Sequence, residues 1–165
     1  MTIQSSHARI HTYKATVSWT GNRGTGTSSI GAYGREHEIR CPGRPVIYGT
    51  SDPAFRGDPT KHNPEDLLVA ALSGCHMLWF LSLCADAGIV VVSYTDDAVG
   101  VMEEQEDGAG QFESVTLHPK VALAIGSDVE RAMTLHKAAH EMCFIARSVA
   151  FPVRHVAKIG VAQPR

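Results

Sequence analysis

The sequence predicts an α+β fold in which two long helices pack on a curved antiparallel sheet, in the order β-β-β-α-β-β-α-β. Three observations carry this. Tyr13, Ala15, Val17 and Trp19 alternate with Lys14, Thr16 and Ser18, the period-two pattern of a half-buried strand. A long apolar stretch opens on Asn63-Pro64-Glu65 and closes at Gly88. A second stretch with helical periodicity follows Ser127 and stops before Pro152. Strands fall in groups rather than alternating singly with helices, which argues against a doubly wound parallel sheet.

Taken in order, Gly21-Asn22-Arg23-Gly24 after the first strand reads as a tight turn into a second strand near residues 27–33. A third strand is expected at 37–40, broken by Pro42-Gly43, with 45–49 continuing the sheet and 50–62 forming a loop. Asn63 is a good N-cap, Pro64 suits the first helical position, and Glu65 complements the helix dipole. The first helix should run to about residue 87, with Gly88 as its stop. Its expected core stripe is Leu68, Leu72, Cys75, Trp79 and Leu83. Two longer strands, 90–103 and 112–125, are joined by a Gly- and acid-rich turn. Ser127 and Glu130 form a capping box for a second helix over 128–149, with Met133, His136, His140, Cys143 and Arg147 on one stripe. A last strand covers 153–161.

With 165 residues, 44% hydrophobic and 19% charged, the chain is expected to form one domain, 1–165, with residues 1–9 flexible. A net charge of −2 without charge runs indicates neither a nucleic-acid surface nor a membrane patch. Ser73, Gly74, His76, Ser82 and Asp86 interrupt the longest apolar stretch, which reads as too polar to span a membrane. The N-terminus lacks an apolar signal core, so a reducing cytoplasm is the expected location. No cofactor or metal is expected.

The first helix is apolar around most of its circumference, and such a helix must be covered on every side. One curved sheet covers one side. A second copy of the chain is the natural supplier of the rest, so a homodimer is expected.

Four cysteines make no disulfide scaffold, and no C-x-x-C pair occurs. A buried helical cysteine is more often a small hydrophobe than a reactive thiol. Cys84, among apolar neighbours, and Cys41, beside Pro42, are read that way. Cys75 in Ser73-Gly74-Cys75-His76 and Cys143 in His140-Glu141-Met142-Cys143 have polar company, and each lies on the core stripe of one long helix. Their sulfurs could meet where the helices pack, which suits two-cysteine redox chemistry.

Asn63-Pro64-Glu65 followed ten residues later by Cys75 in Ala-Leu-Ser-Gly-Cys, Ala139-His140-x-x-Cys143, and the Gly21-Asn22-Arg23-Gly24 turn together resemble the OsmC/Ohr peroxiredoxin family. The resemblance extends over about residues 13–159. It implies reduction of hydroperoxides by an intertwined dimer, with a lipoyl-type or other dithiol as reductant. It implies Cys75 as the attacking residue, Cys143 as the resolving one, and Arg23 and Glu65 as the active-site arginine and glutamate. A guanidinium near a thiol favours the thiolate, and Glu65 would orient Arg23 through a bidentate pair. Glu65 and Cys75 stand roughly 15 Å apart along one helix. Arg23 and Glu65 are therefore expected to serve Cys75 of the other subunit. The apolar surroundings favour organic hydroperoxides over hydrogen peroxide.

The family commonly has Cys-Pro-x-Ser where this chain has Cys143-Phe144-Ile145-Ala146, which puts disulfide closure in question more than peroxide attack. His76 does not share a helix face with Cys75 and is expected at an interface or behind the site, while His140 lies one turn before Cys143. Two rivals stand beside the peroxidase: a zinc protein using Cys75, His76, His140 and Cys143, and a non-catalytic dimeric module that binds an apolar ligand.

Overall fold

The computed structural model describes residues 9–163, and the chain divides at Pro64 into two compact units. Most of the segment expected to be flexible, residues 1–8, lies outside the described residues. In the N-terminal unit, β1 (Thr16–Trp19), β2 (His37–Arg40) and β3 (Ile47–Gly49) form an antiparallel sheet, with Trp19 opposite His37 and Ile39 opposite both Val17 and Ile47. The strand expected at 27–33 does not form. The Asn22 side chain accepts hydrogen bonds from the N–H groups of Gly24 and Gly26, both at positive φ, and this coils the segment into successive turns. Gly34 N–H then donates to the Gly21 carbonyl and Trp19 Nε1–H to the Gly34 carbonyl, each at 2.8 Å. The approach is so close that a Cβ at Gly21 would stand 2.1 Å from the Gly34 oxygen. Val17, Trp19, Ile47 and Tyr48 of this sheet remain exposed.

In the C-terminal unit, α1 (Pro64–Asp86) ends as expected, with Gly88 at φ 72° and Ile89 N–H donating to the Cys84 carbonyl. Its buried stripe differs from the expected one. Leu72, His76, Phe80 and Cys84, four residues apart, are at most 1% exposed, while Cys75 sits half-buried at the edge. The reason is that α1 packs into two apolar clusters in succession. Leu72 joins Val115 and Leu117, whereas Phe80 and Cys84 join Val121, Leu123, Ala132 and Ala139. Contrary to the sequence expectation, α1 is long and apolar enough, by length and composition, to cross a membrane. Here its buried stripe forms part of both cores.

The two long strands expected after α1 are four. β4 (Val91–Asp96), β5 (Val99–Glu104), β6 (Gly110–Leu117) and β7 (Pro119–Leu123) break at Asp97-Ala98 and at His118. The expected last strand breaks likewise, into β8 (Val153–His155) and β9 (Lys158–Val161). The breaks line up, so three bent strands make two sheets, β4-β7-β9 and β5-β6-β8. β8 and β9 pair parallel to their neighbours, a correction to the all-antiparallel expectation. A single carboxylate holds the bend. Asp96 accepts 2.6 Å hydrogen bonds from the His118 N–H and from Ser73 Oγ of α1.

The second helix, α2 (Val129–Met142), starts one residue later than expected. Its cap is Asp128, which accepts from Arg131 N–H, and not Ser127. It also ends seven residues early. Cys143 is its C-cap, in extended geometry with ψ 107°.

Candidate active site

The bend in the sheets, the middle of α1 and the end of α2 bring Cys75 and Cys143 together. The two cysteines are neighbours, and both are free thiols. Burial, then the neighbouring Cys75, pushes the Cys143 thiol up to about 11, so at neutral pH it is protonated. Cys143 is 1% exposed and Cys75 half-buried. Cys84 is buried in the core, and that burial pushes its thiol up to about 11.

Beside this pair lies a cluster that the sequence expectations did not include. His76 and His136 lie edge to edge with nearly parallel rings, their centres 5.3 Å apart, joined by a nitrogen–nitrogen hydrogen bond of 3.0 Å. Phe80 stacks on the His136 ring at 3.9 Å. His155 lies 5.4 Å from His76 and 5.8 Å from His140. Burial, followed by the charges of the neighbouring histidines, holds His76 down at about 4 and His136 at about 3, and it lowers His155. His76 Nδ1 and His136 Nε2 are buried without a hydrogen-bond partner among the described residues. The signal for this cluster was legible: His136 and His140 are four residues apart on α2 and share a face. For the zinc alternative, among the described residues no three His, Cys, Asp or Glu groups are arranged to hold a metal ion.

The other two expected site residues are described in their own units. Arg23 is exposed in the turn after β1. Glu65 stands in the first turn of α1, where its Oε2 is buried without a hydrogen-bond partner among the described residues. Phe80 is core, whereas Trp79 reaches an edge-on contact with Phe144.

Residues 57–157 match the model of the family described as OsmC-like protein. The chain belongs to the OsmC-like family. The Asn63-to-Cys75 and Ala139-to-Cys143 motifs fall inside the matched region, and the Arg23 turn lies before it. An OsmC-like protein of unknown function from Vibrio cholerae is 32% identical, with a TM-score of 0.82 over 90% of this chain and 100% of that one. An organic hydroperoxide resistance protein from Elizabethkingia anophelis shares the fold at 19% identity, with a TM-score of 0.67 over 93% and 99% of the two chains. The organic hydroperoxide resistance protein OhrB of Bacillus subtilis does so at 21%, with a TM-score of 0.61 over 91% and 98%. No curated protein matches in sequence. The mixed α+β fold expected from the sequence is thus the OsmC-like fold.

Proposed function

We propose that this OsmC-like chain is a cysteine peroxidase that reduces organic hydroperoxides. The observation that carries the proposal is the juxtaposition of a half-buried Cys75 and a buried Cys143, both free thiols. The Cys75 sulfur attacks the peroxide oxygen, an S–O bond forms as the O–O bond breaks, and the alkoxide takes a proton and leaves as an alcohol. Sulfur loses two electrons and the peroxide gains them. The Cys143 sulfur then displaces the oxygen from Cys75, which leaves with a proton as water, and a disulfide remains. An external dithiol returns both sulfurs to thiols by exchange.

The working unit in this proposal is a homodimer, with Arg23 and Glu65 completing Cys75 of the partner. Two features support it. The Glu65 Oε2 is a buried acceptor that a guanidinium would satisfy. Leu78 on α1 is 64% exposed, and the apolar side chains of the N-terminal sheet are open. The two neighbours named for organic hydroperoxide resistance point to the substrate class.

Stopped-flow oxidation of the reduced protein by an alkyl hydroperoxide, beside Cys75→Ser, tests the proposal. A Cys75-dependent sulfenic acid followed by a disulfide is expected. If neither species forms, the protein is no peroxidase, and the alternative of an apolar-ligand module gains.

A further inference from the structure

Nothing in the residues after Met142 stops a helix locally: Phe144, Ile145, Ala146 and Arg147 are all tolerated in one, and no proline occurs before Pro152. Yet α2 ends there, and Cys143 turns out of it. The chain is held in its new course by contacts of its own. Phe144 meets Trp79 edge-on, with centroids 5.6 Å apart and planes at 76°. Trp79 follows Cys75 by one turn of α1, on the same face, and Phe144 follows Cys143 directly. One ring pair thus ties together the two segments that carry the sulfurs.

The backbone released by the break is satisfied locally. Cys143 N–H donates to the His140 carbonyl at 3.2 Å, and Ala146 N–H donates to Cys143 Sγ at 3.4 Å. Arg147 N–H donates to the Cys143 carbonyl at 3.1 Å, and Ser148 Oγ donates to the Phe144 carbonyl at 2.7 Å. Below, Ile145, Ala146 and Val149 pack on the Leu72 cluster. Phe144 itself stays 67% exposed. Its ring is therefore not a core side chain, and its recorded ring contact is with Trp79.

We propose that Phe144, clasped against Trp79, is a positioning residue for disulfide closure: it holds Cys143 out of the helix and against Cys75. The inference rests on the peroxidase reading and deepens it. A disulfide forms only within a narrow range of Cβ separation and dihedral angle, so a loosened Cys143 slows closure without touching the attack of Cys75 on peroxide. A sulfenic acid left waiting is open to a second peroxide, which carries the sulfur to the sulfinic level.

The test is single-turnover oxidation of wild type, Phe144→Ala and Phe144→Tyr by an alkyl hydroperoxide, with the sulfenic acid trapped by dimedone. Phe144→Ala is expected to slow the peroxide-independent closure phase by roughly three- to tenfold, the rate equivalent of one aromatic pair. The peroxide-dependent phase should stay within about twofold, Phe144→Tyr should restore closure, and sulfinic acid should rise in the alanine variant. Unchanged closure, or parallel slowing of both phases, would overturn the proposal. Closure is also driven with diamide, which takes two electrons and two protons from the thiols and needs no peroxidase activity. Wild type that forms no sulfenic acid sinks the peroxidase reading alone, whereas diamide closure equally fast in wild type and Phe144→Ala sinks the clasp.

Discussion

His76 Nε2 and His136 Nδ1 lie 3.0 Å apart, in rings parallel to within 4° and no more than 1% exposed. Both rings are held neutral by burial, at about 4 and about 3, below the ordinary 6.5. The unfolded chain takes up these protons as pH falls through about 6.5, and the folded chain does so only near 4 and below. Folding stability is therefore full above pH 6.5 and declines as pH falls toward 4. Urea unfolding across that range measures the slope. In His136→Phe, which keeps a ring in the stack, the slope should drop by up to about 1.4 kcal/mol per pH unit, one proton's worth.

Because burial sets the Cys143 thiol at about 11, its thiolate fraction rises about tenfold per pH unit through the neutral range. The closure phase of single-turnover oxidation should accelerate with pH between 7 and 9, approaching that factor. Cys143→Ser should remove the phase and leave a long-lived sulfenic acid on Cys75. Dimedone labelling followed by mass spectrometry checks both.

If Arg23 completes the Cys75 site of its partner, mixed dimers of Arg23→Ala and Cys75→Ser chains contain one intact site. Peroxidase assays should find activity near half of wild type, against a near-complete loss in either homodimer. A dead mixed dimer places arginine and cysteine in the same chain.

Asp96 joins α1 to the sheet bend through Ser73 and the His118 N–H. Asp96→Ala leaves both donors unpaired and should lower unfolding stability by about 1–3 kcal/mol, with Ser73→Ala costing less. Chemical denaturation of the variants measures it.

Much of the fold was legible in local signals. Asn63-Pro64-Glu65 and Gly88 bracket α1 because each acts on backbone groups within a turn of itself. The strand expected at 27–33 failed for the same kind of reason, since Asn22 and its glycines curl that segment on themselves. The bends were not legible. Nothing at Asp97, His118 or Val156 announces a break, and only the alignment of three strands over one helix makes a bend the way to cover two clusters at once.

The sequence by itself determined the two helices and the strand-rich stretches before, between and after them, because capping residues and periodicity are properties of neighbours along the chain. Only the tertiary structure decided that His76, and not Cys75, enters the core, since the inward face of an all-apolar helix is chosen by the surfaces that meet it. It decided as well that α2 stops at Met142, through contacts that include a ring on a different helix.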